Sequence, residues 1–102
     1  MTVRAAVVQM GSRPEGPVET IAALCAATQK AASAGAQLVV FPEALVGGYP
    51  KGQDFGAKVG VRTPEGRAQF RRYFENAVDL PSPEVEQIAE AAARHEVWIV
   101  VG

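Results

Sequence analysis

Three short apolar runs alternate with stretches in which apolar positions recur every three or four residues. The runs are Val3 to Met10, Gln37 to Phe41 and Val97 to Val101. Each is rich in β-branched residues and predicts a strand. Leu38-Val39-Val40-Phe41 is apolar at consecutive positions, the pattern of a strand covered on both faces, and Val97 to Val101 has the same character. After the first run Pro17 opens a helix, where a missing amide costs nothing. Glu19 in its first turn and Lys30 in its last suit the macrodipole. Val18, Ile21, Ala22, Cys25, Gln29 and Ala32 share one side at helical spacing, and Gly35 is placed to end the helix.

Two further helices announce themselves by the same signal of hydroxyl, proline and acid: Thr63-Pro64-Glu65 and Ser82-Pro83-Glu84. Phe70, Tyr73, Phe74 and Ala77 make an aromatic stripe on the first, which suits a core or an interface. Val85, Ile88, Ala89, Ala92 and Ala93 make the apolar side of the second, and His95 complements its C-terminus. Strand–helix–strand is the unit of a parallel pair, and the alternation predicts an α/β fold.

The second run ends abruptly at Pro42, which has no amide to donate and tends to end a strand. Glu43 follows at once, past the carboxyl end of that strand, where open α/β sheets bind ligands. A carboxylate held against an apolar wall is harder to ionise and makes a better base. On burial habits alone, a glutamate after a proline is an exposed loop residue. Both readings stand at this level. Gly47-Gly48-Tyr49-Pro50 then brings backbone and an aromatic ring to the same region. The connection from Pro42 to about Arg62 is long for a compact domain, which is usual for a functional loop.

Other candidate chemistry falls away. Gly11 and Gly16 have the spacing of a phosphate-binding loop, but Pro17 and Val18 replace the lysine and hydroxyl that such a loop needs. Arg67, Arg71 and Arg72 read as a solvated face. Cys25 lies mid-helix on the apolar side, with neither a helix N-terminus nor a cationic sequence neighbour to activate it, and reads as a buried small hydrophobe. Nothing near His95 has metal-ligand spacing.

Composition narrows the rest. A chain of 102 residues, 48% hydrophobic, suffices for one small unit with a modest core. A net charge of −1 gives no electrostatic basis for binding nucleic acid or an acidic membrane surface. No apolar run approaches the roughly 18 residues of a membrane span, and the start lacks the pattern of a signal peptide. A single cysteine makes no internal disulfide, and the cytoplasm is the default location. Three strands that want cover on both faces exceed what these residues supply, which points to the front part of a larger domain.

The blocks Ala5-Ala6-Val7-Val8-Gln9, Phe41-Pro42-Glu43-Ala44, Gly47-Gly48-Tyr49-Pro50-Lys51-Gly52, Asp54-Phe55-Gly56 and Arg62-Thr63-Pro64-Glu65-Gly66-Arg67, followed by Tyr73-Phe74, occur in that order. Together they resemble the nitrilase superfamily of carbon–nitrogen hydrolases, and its nitrilase branch in particular. The resemblance runs through essentially the whole chain. It implies that residues 1–102 are the N-terminal portion of one carbon–nitrogen hydrolase domain, an α/β four-layer αββα sandwich. It implies a Glu–Lys–Cys site, of which only the glutamate, Glu43, has a counterpart here. Lys51 does not match the motif of the catalytic lysine. The implied reaction converts a nitrile to a carboxylic acid and ammonia: a cysteine thiolate attacks, Glu43 is the general base, and the lysine stabilises developing charge. Tyr49 is implied to border the substrate pocket. No metal or organic cofactor is implied. The implied partners are a small nitrile or amide and further copies of the chain in a homo-oligomer, with neither nucleic acid nor membrane. An amidase of the same superfamily is an alternative, and so is a non-catalytic remnant acting only in assembly. With two catalytic groups missing, the 102-residue chain alone is expected to be inactive.

Overall fold

The three apolar runs lie side by side in chain order as one parallel sheet. The computed structural model describes residues 1–50, 52–56 and 62–102. Its elements are β1 (Ala5–Val7), α1 (Pro17–Ser33), β2 (Leu38–Val40), α2 (Pro64–Glu75), α3 (Pro83–His95) and β3 (Trp98–Val100). The sheet order is β1-β2-β3, with Ala6 opposite Val39 and Val39 opposite Ile99. The strands are shorter than the runs that announce them. At their start the Gln37 side chain takes over a ladder position, its Oε1 accepting the Arg4 amide at 3.0 Å. At their end the Phe41 amide still donates to the Val100 carbonyl at 2.8 Å, one residue past β2.

Strand alternation then sorts the side chains. Val39, Phe41 and Val97 join Leu24 and Leu45 in the core, with Ala6, Val8 and Ile99 packed against them. The opposite face carries Ala5, Val7, Leu38, Val40, Trp98 and Val100. It is open: Val7 is 79% exposed and Trp98 80%. The two-sided cover expected from composition is therefore one-sided in these residues. Strands laid down in one direction and joined by crossovers of one hand put their helices on one side of the sheet, here α1 and α3.

The helix starts follow their sequence signals. Thr63 Oγ1 accepts the Gly66 amide at 3.0 Å and Ser82 Oγ accepts the Val85 amide at 3.2 Å, each ahead of a first-turn proline. The buried faces differ from the expected stripes. In α1 the buried residues are Thr20, Ile21, Leu24 and Thr28, while Val18, Ala22 and Gln29 are exposed. The threonines can go inside because their hydroxyls are satisfied locally. Thr28 Oγ1 donates to the Leu24 carbonyl at 2.9 Å, and Thr20 Oγ1 donates to the Gly16 carbonyl at 3.0 Å. In α3 Ala91 is buried and Val85, Ile88 and Ala92 are half-buried, while Ala89 and Ala93 are exposed.

Helix α2 stands outside this core. Its Phe70 and Phe74 are exposed, and its packing partner is the turn before it: the Phe55 ring centroid lies 5.4 Å from that of Phe70 and 5.6 Å from that of Tyr73. Gly66 makes the approach possible, since a Cβ there would overlap the Phe55 carbonyl. Among the described residues no helix is long and apolar enough to cross a membrane. Lys51 and residues 57–61 of the long connection lie outside the described residues.

Candidate active site

The carboxyl ends of all three strands converge on one turn. Phe41, 5% exposed, closes the ladder, and Pro42 stops it. The chain then folds into a tight turn from Glu43 to Gly47. Ala44 has φ +53°, a left-handed conformation that disfavours a side chain. Leu45 and Val46 are buried and fasten the turn to the core. From the loop after β1, the Ser12 hydroxyl donates to the Leu45 carbonyl. From the end of β3, Gly102 lies against Glu43: a Cβ on Gly102 would stand 3.4 Å from Glu43 Cα. From the end of α2, the Asn76 carbonyl comes so close to Gly47 that a Cβ there would stand 3.3 Å away.

Glu43 is thus fixed at the position the sequence suggests, past the end of β2. Its side chain is exposed. Its exposure means that the described residues do not hold it against the apolar wall the sequence suggests.

Tyr49 stands six residues on, 69% exposed, after Gly48 at φ +90°. It lines a cavity of about 310 Å³ together with Gly47, Gln69, Arg72, Tyr73 and Asn76. A second, apolar cavity of about 240 Å³ lies between Ala44 and the Phe70, Tyr73 and Phe74 rings. Gly47, Gly48 and Tyr73 border both, so the Glu43 turn and α2 share one surface. Glu43 lines neither. The arginines of α2 divide: Arg71 Nε pairs with Glu75 Oε1 at 2.7 Å on the solvent side, whereas Arg72 reaches the Tyr49 cavity.

Cys25 lies elsewhere, half-buried in a groove between α1 and α3 with Gln29, Glu90, Arg94 and His95. Burial pushes its thiol above the ordinary value, and the Arg94 charge offsets part of that. The cationic neighbour missing from the local sequence is therefore supplied by α3, but burial outweighs it. Among the described residues no three His, Cys, Asp or Glu side chains are grouped to hold a metal ion.

Two residues at the site carry no obvious sequence signal. Ser12 sits in the glycine-bounded loop that fails as a phosphate site. Thr20, fully buried, accepts the Arg13 amide at 2.9 Å and so ties that loop to α1. A hydroxyl in the first turn of a helix, facing the loop before it, is the one hint available.

The family model for carbon–nitrogen hydrolases matches residues 4–102. A nitrilase of Bradyrhizobium diazoefficiens is 54% identical over 99% of this chain and 32% of its own length. A bifunctional nitrilase/nitrile hydratase of Nicotiana tabacum is 46% identical over 99% of this chain and 29% of its own length. An aliphatic nitrilase of Sinorhizobium fredii is 43% identical over 97% of this chain and 32% of its own length. The chain spans about a third of the length of these curated relatives.

Proposed function

The chain belongs to the carbon–nitrogen hydrolase family, and from that premise we propose that it is the N-terminal segment of a nitrilase in which Glu43 is the general base. The similarity to nitrilases over 99% of the chain is the observation that carries this reading. The site geometry supports it: Glu43 is exposed and set where three strand ends meet. In the full-length protein a cysteine and a lysine from the remainder of the domain complete the site.

The chemistry then runs as follows. Glu43 takes the thiol proton, and the thiolate adds to the nitrile carbon. The carbon–sulfur bond forms as a π bond of the nitrile opens, and the nitrogen is protonated to give a thioimidate. The lysine ammonium stabilises the charge building on nitrogen. Water adds to the thioimidate carbon and ammonia leaves, giving a thioester. A second water, activated by Glu43, releases the carboxylic acid and returns the thiol. Each turnover consumes one nitrile and two waters. Tyr49 and the cavity behind it border the substrate side chain, so the ring contributes to selection among nitriles. No step needs a metal or an organic cofactor.

The test is ammonia release by the full-length protein from a panel of nitriles and the matching amides. Glu43→Gln keeps the shape but cannot take the thiol proton, and should lose at least a hundredfold in kcat. Near wild-type turnover by a folded Glu43→Gln protein would remove the base assignment. Turnover of amides but not of nitriles would move the protein to the amidases of the family.

A further inference from the structure

We propose that Ser12 is a positioning residue for Glu43. The inference rests on the reading of Glu43 as the base, and it gives the loop from Gly11 to Gly16 a use that phosphate binding does not.

The turn that carries Glu43 is not one the backbone would choose. Ala44 sits at φ +53°, a region that non-glycine residues enter at a cost and hold only when their surroundings impose it. The hydrophobic anchors Leu45 and Val46 fix where the turn sits, but apolar contact is non-directional and does not fix a peptide plane. The directional restraint comes from Ser12, whose hydroxyl donates to the Leu45 carbonyl across 33 residues of chain. That bond sets the orientation of the Leu45–Val46 peptide, two residues from Glu43. The loop is held at Arg13, the next residue after Ser12. Buried Thr20 accepts the Arg13 amide at 2.9 Å and donates to the Gly16 carbonyl at 3.0 Å, and the Gly16 amide returns to the Arg13 carbonyl at 3.2 Å. Hydrogen bonds from the first turn of α1 therefore hold Arg13, the chain neighbour of Ser12, and the Ser12 hydroxyl in turn holds the Glu43 turn. A base must lie within hydrogen-bond reach of the proton it takes, so a small rotation of this turn is felt in the chemical step.

The experiment is a mutant cycle in the full-length protein, with Ser12→Ala, Ser12→Thr, Glu43→Gln and the double variant Ser12→Ala/Glu43→Gln. Thermal melts are followed alongside kcat and KM on one nitrile, and residual rates are read with enzyme in excess over substrate. The bond is neutral and partly exposed, so Ser12→Ala should lower kcat roughly five- to tenfold. KM and the melting temperature should stay close to wild type, and Ser12→Thr, which keeps the hydroxyl, should recover most of the rate. In the Glu43→Gln background, Ser12→Ala should have little further effect, because the group it positions is gone. A wild-type kcat for Ser12→Ala beside an inactive Glu43→Gln would overturn the Ser12 proposal and leave Glu43 standing. A full additional loss in the double variant would show that Ser12 acts on the fold or on another group, and would also overturn it. An active Glu43→Gln would remove the base itself, a result distinct from both.

Discussion

At Cys25 two influences oppose each other. Burial against α3 disfavours the thiolate, and Arg94 favours it; burial is the larger, so the folded thiol titrates above its ordinary value. The thiolate is the reactive form, so the consequence is slow chemistry at neutral pH. Alkylation of the folded chain by iodoacetamide should be slower than that of the unfolded chain at pH 7. It should still be accelerating where an ordinary thiol has levelled off. A rate plateau below the ordinary thiol range would mean that Arg94 outweighs burial. The same shift bears on stability. A thiol raised on folding contributes fully below its unfolded value, and that contribution is lost as pH rises through the folded value. Alkaline melts should therefore fall more for wild type than for Cys25→Ala. Cys25 lines the groove between α1 and α3, and Glu43 does not, so no pH should turn it into the nucleophile of this site.

Each of α2 and α3 starts at a side-chain cap, and α3 stops in a way that can be improved. Its C-cap, Glu96, has φ +52° and ψ +46°, a left-handed conformation in which glycine meets no steric penalty. Glu96 is exposed, so nothing is lost from the core on replacing it. Glu96→Gly should stabilise the chain by about 0.5–1 kcal/mol, read as a higher denaturation midpoint with an unchanged slope. A lower midpoint would mean that the Glu96 side chain has a role beyond ending the helix. Caps such as Thr63 and Ser82 were legible in the sequence because their chemistry is local, a hydroxyl reaching an amide three residues on. The buried side of α1 was not. Hydropathy steers Val18 inward and Thr20 and Thr28 outward, whereas the backbone bonds of the two threonines let them take the interior. The position of Glu43 was legible because a proline ends a strand wherever it falls. The Ser12 bond was not, since it joins residues 33 apart and exists only once β1 and β2 are known to be neighbours.

For the molecule as a whole, the open sheet face decides how the 102 residues behave when produced alone. Ala5, Val7, Leu38, Val40, Trp98 and Val100 form one contiguous apolar surface, with Trp98 80% exposed and Val100 53%. Patches beyond a few hundred Å² are uncommon on monomers. Covering roughly 300 Å² at about 25 cal/mol per Å² gives ~7.5 kcal/mol, as large as the whole stability margin of many domains. In the proposed full-length protein, the remainder of the domain covers this face. In the isolated segment the same surface on a second copy is the available cover, and the outer edges of β1 and β3 add unpaired backbone groups to the attraction. The segment should therefore self-associate as its concentration rises. Trp98 is the sole tryptophan, so its emission reports on this face directly. Light scattering should show mass increasing with concentration while the emission shifts to shorter wavelength, and Trp98→Lys should weaken both changes. A concentration-independent monomer that melts cooperatively with a solvent-exposed Trp98 would show that α1, α3 and the three strands are sufficient on their own. The reading of these residues as the front of a larger domain would then lose its physical basis.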